Sequence, residues 1–442
     1  MKISRFARFC VLIPVAVTGC TRGDAARDSQ QSAITAETDA VRLAANSPAQ
    51  NRKTGATTAA SPVSSSRIVR REIVPNGVKD SSGVTVPRGF AVNVFASGLA
   101  VPRRLAIAPG STAGKYDLFV TESRSNRMRI LRESNGDGKA DSRFVFTQRT
   151  SQPYGLAFHP SGYLYVANTD SVVRFPYRNG ATSANARPQF ITKLTEGGYN
   201  QHWTRNLLFS RDFKKLFVTV GSSCNTCEED DPQRAAISVM NPDGKARRVF
   251  ASGLRNPVGM ALRPRTDELW TVVNERDNIG DDLPPDYLTL VRDGAFYGWP
   301  YAYTDIAGRV SPDPSFGDKR PDKVRATRPP TVPVQAHSAA LGVVFYPTGQ
   351  KAARGVKPFP AAYEGDAFLA FHGSWNRSAK TGYKIVRVDF RNGRPAELTD
   401  FVRGYLRGNG RVWGRPVDVV VAPDGSLLFS DDGSGTIWRV SY

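Results

Sequence analysis

The chain has 442 residues, 40% of them hydrophobic, with 60 Lys and Arg against 40 Asp and Glu for a formal net charge of +20. That length and apolar content suffice for a large buried core and exclude a wholly unfolded chain. The basic residues are spread along the sequence rather than clustered among stacking aromatics, which argues against nucleic acid as a partner and for a basic soluble surface.

Residues 1–20, MKISRFARFCVLIPVAVTGC, have the form of a targeting signal. Lys2, Arg5 and Arg8 precede an apolar stretch from Val11 to Val17, and Val17-Thr18-Gly19-Cys20 resembles a bacterial lipobox. The expectation is a lipoprotein signal peptide. It would leave an exported protein on the periplasmic face of the envelope, held to the outer membrane by lipid on Cys20. Residues 21–75 turn to Ala, Ser, Thr and Gln with scattered charge, too little apolar surface to offset conformational entropy, and are expected to form a disordered tether.

Residues 76–442 are the expected folded domain. Its Gly, Pro, Phe and Tyr content, without a long amphipathic helical run, favours an all-β fold. A repeat runs through it: FASGLAVPRRLAIAP at 95–109 returns as FASGLRNPVGMALRP at 250–264. A proline, a short strand and a second proline seven positions on recur at Pro102/Pro109, Pro153/Pro160, Pro257/Pro264 and Pro416/Pro423. Residues 205–220 and 341–347 are looser copies. Each is followed by a turn and another strand, as in HPSGYLYVAN and APDGSLLFSD. Six copies starting near 104, 155, 206, 259, 341 and 417 predict a six-bladed β-propeller, since one such unit cannot bury its faces alone. The strand Phe90–Phe95 is expected to close the ring against the last blade. A Pro- and Asp-rich insertion at about 278–335 is expected after the fourth blade's first hairpin.

Equivalent positions in a propeller meet around its axis. Just before the first strand of each copy stand Gln152, His202, Arg255 and Asn256, His337 and Ser338, and Arg415, so these are expected to ring one polar channel mouth. Glu275, Asp277, Asp281 and Asp282 crowd one loop, which suits either Ca²⁺ or a solvated acidic surface. Arg377 and Lys380 are placed to meet an anion and Trp375 to stack. His159, inside a strand, is expected to be structural. Cys224 and Cys227 read as a local disulfide in an oxidising compartment, and Glu228 after them excludes haem attachment.

Taken in order, HWTRNL, SGLRNPVGMA, VNERDNIGDDLPPDYL, FYGWPY, HGSWNRS and GRPVDV resemble the sorbosone/glucose dehydrogenase family, over about residues 86–442. The resemblance implies a six-bladed propeller using pyrroloquinoline quinone (PQQ) and calcium to oxidise a sugar, alcohol or aldehyde, with electrons leaving to an acceptor. It implies His202 as the general base. Gln152, Arg255, Asn256, Arg377, Lys380 and Arg415 would bind the tricarboxylate cofactor, and Glu275, Asp281 and Asp282 would hold the calcium that polarises its carbonyl. Where soluble glucose dehydrogenases carry an aspartate assisting the histidine, this chain has Ser222. The alternatives are a metal-dependent, lactonase-like propeller hydrolase and a non-catalytic binding propeller. A mouth rich in Arg and Lys favours the anionic cofactor over the hydrolase.

Overall fold

The alternating strands of the repeats fold as six antiparallel sheets in a computed structural model, which describes residues 68–71, 77–197, 202–350 and 357–442. Blade 1 starts with Leu105–Ile107, blade 2 with Leu156–His159, blade 3 with Leu207–Phe209, blade 4 with Asn256–Leu262, blade 5 with Ala340–Phe345 and blade 6 with Pro416–Val421. These first strands touch one another in order, the sixth returning to the first, so they are the innermost strands of a closed ring. Blade 6 borrows its fourth strand from the front of the chain: Ala91–Ala96 pairs with Thr436–Ser441. The predicted closing strand is therefore found one residue further on.

Packing explains the ring. Six apolar clusters each lie between two neighbouring blades, such as Phe119, Ile130, Leu156 and Leu164 between blades 1 and 2. Near the axis the strands crowd. A Cβ on Gly155 would lie 2.7 Å from the Leu207 nitrogen, and one on Gly259 would lie 2.6 Å from the Leu341 oxygen. A seventh cluster, Val258, Leu341 and Val417 from three inner strands with Tyr154 from just before a fourth, plugs the channel. Beside its apolar cluster, the seam between the last and first blades also carries a buried polar link at its inner edge. Asp418 of blade 6 is fully buried and accepts from Arg104 Nη1 at 2.6 Å and from the Leu105 N–H at 2.8 Å. Asp418→Ala strands the buried guanidinium of Arg104, and an expected loss of about 3–5 kcal/mol would be read as a lower urea midpoint.

Two expectations are corrected. The insertion at 278–335 is not continuous, because Tyr287–Leu290 and Val332–Pro333 are the third and fourth strands of blade 4. Proline and aspartate around them hid the apolar YLTL run. The excursion between them carries a hairpin, Ala302–Thr304 with Val310–Pro312, and the helix Pro321–Ala326. The tether also ends earlier than 75, since Val69–Arg71 pairs in parallel with Glu397–Thr399 on the outer strand of blade 5. An edge strand offers unpaired backbone groups that a short segment of almost any composition can meet. The signal peptide, Cys20 and the rest of the tether up to 67 lie outside the described residues.

Candidate active site

Because the first two strands of a blade are antiparallel, the start of the first and the end of the second meet at one end of the sheet. In blade 4 Asn256 pairs with Asn274, and in blade 6 Pro416 pairs with Asp431. The mouth therefore receives two rings of residues, one from each position. Together they line a cavity of about 590 Å³, with Leu341 of the axial plug at its floor. Three of the four histidines, His202, His337 and His372, face it. His159 stays outside, packed edge-on against Phe209 and Phe213, as expected of a structural residue.

His202 is 4% exposed. Its Nδ1 lies 2.9 Å from Ser222 Oγ and 3.1 Å from the Ser222 carbonyl oxygen. The Ser222 hydroxyl donates its one proton to the Cys224 carbonyl at 2.6 Å, and the Ser222 carbonyl can only accept. Nδ1 must therefore carry the proton, which puts the lone pair on Nε2. Burial, and then the Arg255 charge, hold the ring well below the usual histidine range, so it is neutral at pH 7.

Arg255 lines the same wall but is bound into the protein. Its guanidinium donates to the Asn225 carbonyl at 3.0 Å, to Asn225 Oδ1 at 2.8 Å, to the Glu275 carbonyl at 2.6 Å and to Asp277 Oδ2 at 2.9 Å. Asn225 sits in the loop closed by the Cys224–Cys227 disulfide and also accepts from Asp277 N and Trp299 Nε1. With their sulfurs bonded to each other, these cysteines and nearby Glu229 are not a metal site.

Asn256 reaches Asn274 Oδ1 at 3.4 Å through its amide nitrogen, while its Oδ1 is buried without a partner among the described residues. Thr204 Oγ1 and Arg103 Nε are left the same way on the same cavity. Arg415 lines the wall near the His372 carbonyl; its backbone N–H donates to Asp431 at 2.6 Å, while its guanidinium has no carboxylate partner among the described residues. Gln152 is at the exposed rim, accepting from Thr169 at 3.3 Å. Trp375, 58% exposed, overhangs the mouth.

Other predicted residues are elsewhere. Lys380 is exposed, bonded to the Gly410 carbonyl at 3.1 Å, and lines a separate outer groove. Arg377 meets the acidic loop itself, donating to the Asp281 carbonyl and to Asp282 Oδ1, both at 2.7 Å. Asp281 also accepts from the Ser378 N–H at 3.1 Å. The segment after Trp375 folds over that loop, so cation and carboxylates neutralise each other outside the cavity. Glu275, Asp281 and Asp282 consequently do not form one ligand set. Glu275 alone of the three lines the cavity, and burial raises its carboxyl to about 7. Asp286 beside it is raised to about 6 by burial. The mouth is also less cationic than expected. Among the described residues, Arg103, Arg124, Arg255 and Arg415 are matched in number by Glu275, Asp277, Asp286 and Asp432, and no lysine lines the cavity.

Sequence reasoning missed Arg103, just before the first strand of blade 1, Asp286, just before the third strand of blade 4, and His372 and Asp432 of the second ring. A signal existed, because the second strands end in phase at Glu122-Ser123, Asn274-Glu275, Phe371-His372 and Asp431-Asp432. His372 Nε2 lies 2.9 Å from Asp432 Oδ1, and Asp432 Oδ2 accepts from Arg103. Burial pushes His372 down to about 4, outweighing the opposing pull of Asp432. Although burial opposes it, His372 and Arg103 hold the Asp432 carboxyl well below its usual range. Between pH 6.5 and 4 an unfolded His372 therefore binds a proton that the folded residue refuses, and this residue's contribution to stability is lost as pH falls. Urea denaturation at about pH 4.5 and 6.5 should show a smaller acid-side loss in His372→Asn than in the wild type.

Comparison with known proteins places this architecture. A sequence model described as TrAA12-like matches residues 84–442. An uncharacterized protein of Borreliella burgdorferi is 28% identical over 384 residues, covering 82% of this chain and 92% of that one. The pyrroloquinoline quinone-dependent pyranose dehydrogenase of Coprinopsis cinerea is 25% identical, covering 81% of this chain and 54% of its own, so this chain spans about half of it. Among solved structures, the holo form of the PQQ domain of the Coprinopsis enzyme aligns with a TM-score of 0.69 at 21% identity, covering 85% of this chain and 100% of that one. The calcium structure of a Trichoderma reesei family AA12 enzyme aligns at 0.68 and 20%, covering 84% and 98%.

Proposed function

The chain belongs to the TrAA12-like family, and we propose that it is a quinoprotein dehydrogenase that oxidises a sugar or a related alcohol or aldehyde. The observation that carries this reading is the set of buried polar atoms left without partners around one cavity: Asn256 Oδ1, Thr204 Oγ1 and Arg103 Nε. Buried polar groups are ordinarily paired, so these call for a ligand rich in hydrogen-bonding groups. PQQ fits that demand: a planar group bearing three carboxylates, it would be held by Arg103, Arg415 and Thr204 through its acceptors. When bound, it supplies an ortho-quinone that accepts hydride. Family membership favours this reading over the hydrolase and the binding propeller.

The chain's own residues do the rest. Arg415, Arg103 and Asn256 bind and orient, and the plug of Tyr154, Val258, Leu341 and Val417 keeps water from passing along the axis. His202 takes the substrate hydroxyl proton at Nε2, because its Nδ1 is already the proton donor to Ser222 and its ring is neutral at the working pH. Gln152 and Trp375 stand at the rim, where substrate enters. Calcium enters the proposal through Glu275: a cation beside this carboxylate would restore the ionised form that burial disfavours. No step is routed through it. Export and a lipid anchor on Cys20 complete the reading, checked by membrane fractionation of Cys20→Ala.

The test is titration of the purified apoprotein with PQQ, followed by dye reduction across a panel of aldoses and aldehydes. Saturable binding with turnover is expected. Absence of binding, with and without added calcium, would sink the quinoprotein reading.

A further inference from the structure

Oxidising an alcohol to a carbonyl releases two protons and two electrons. In a quinoprotein of this design the hydroxyl proton goes to His202, while the second hydrogen leaves carbon with its electron pair as hydride. When those two electrons move on to an acceptor, the second proton is set free and needs a base.

His202 is ill suited to hold both. Behind its Nδ1 stand a hydroxyl and a carbonyl of Ser222, and the neighbouring Arg255 charge opposes an imidazolium. Two other histidines on the cavity have a fixed proton: His337 donates from Nε2 to the Gly280 carbonyl at 2.9 Å, but its Nδ1 is taken by the Asn376 amide at 3.3 Å, which leaves His372. Asp432 is ionised and also accepts from Arg103, so it can only accept from the ring. Nε2 is thus the donor, and the neutral ring carries its lone pair on Nδ1. The ring lines the cavity at the end of the second strand of blade 5, with Asp432, Arg103 and Arg415 as the charged groups around it. A carboxylate behind the donor nitrogen offsets part of the cost that burial and the two arginines impose on an imidazolium, which Ser222 cannot do for His202.

We propose, on the quinoprotein reading, that His372 backed by Asp432 is a second proton acceptor, serving the half of the cycle in which electrons leave. The proton that arrived as hydride passes to His372 Nδ1 as two electrons go to the acceptor, and the imidazolium then releases it to water. Each turnover converts one C–H and one O–H bond into a carbonyl, two protons and a two-electron-reduced acceptor. His202 and His372 divide the two protons between them.

Stopped-flow measurement of the two half-reactions in the holoenzyme separates the roles. In His372→Asn, which leaves the Asp432–Arg103 pair in place, reduction of the bound cofactor by sugar should stay within about threefold of wild type. Reoxidation by a phenazine dye should slow by about 10²-fold or more, and the slowed step should recover as pH rises and hydroxide substitutes for the base. In the apoprotein, ¹⁵N spectra of the four histidines should show His372 as the Nε2–H tautomer. An Nδ1–H tautomer at His372 overturns the proposal, as does unchanged dye reoxidation in a His372→Asn protein that melts like wild type. Wild-type protein that binds no PQQ overturns the quinoprotein reading and this proposal with it.

Discussion

Replacing His202 with asparagine is expected to lower steady-state turnover by about 10²–10⁴-fold while PQQ affinity changes little. Asparagine keeps a donor toward Ser222 but has no basic lone pair to offer the substrate hydroxyl. The contrast variant is Ser222→Ala. It removes the hydroxyl 2.9 Å from Nδ1, yet the Ser222 carbonyl at 3.1 Å remains to accept the Nδ1 proton. The tautomer survives on the backbone alone, so Ser222→Ala should cost less than about tenfold, within the range of one neutral hydrogen bond. A dye-linked assay beside a cofactor titration decides the matter. If His202→Asn loses cofactor binding along with turnover, the residue shapes the site rather than taking the proton.

The reach of the sequence depends on which signals repeat. Proline pairs and alternating apolar residues recur because every blade must bury both faces, so six blades and the closing strand are legible to within a few residues. The first ring of mouth residues is legible for the same reason: Gln152, His202, Arg255, Asn256, His337 and Arg415 precede each inner strand in phase, and all line the cavity. Side chains placed by strand geometry can be read from position, and those placed by loop geometry cannot. Lys380 and Arg377 lie within nine residues of His372 in sequence, yet their segment turns out over the acidic loop and the outer groove. The same fold carries Asp281 and Asp282 away from Glu275. His372 and Asp432 were legible in principle, at the ends of second strands. They escape a reading confined to the first strand of each repeat, because nothing in a one-dimensional pattern says that two antiparallel neighbours share an end.

Arg255→Lys is expected to fail structurally as well as functionally. The guanidinium reaches four acceptors in three directions: two on Asn225, the Glu275 carbonyl and Asp277 Oδ2. A lysine ammonium has three donors from a single point and cannot span that fork. Asp277 would keep Asn376 and Asn225 as partners but lose the charge that offsets its burial. Stranding one member of a buried ion pair costs about 3–5 kcal/mol, so chemical denaturation should show a loss of that order for Arg255→Met and a smaller one for Arg255→Lys. Function should fall through a different route. Asn225 belongs to the disulfide loop that directly follows Ser222, whose carbonyl and hydroxyl together position His202 Nδ1. Releasing Arg255 therefore loosens the support of the base. A double substitution, Arg255→Met with Asp277→Asn, removes both charges at once. It should regain part of the lost stability, because no unpaired charge is left buried. It should not regain turnover, because Asn225 still lacks the two donors that hold it. Recovery of both would mean that the guanidinium serves only to neutralise Asp277, and that the disulfide loop holds its shape without it.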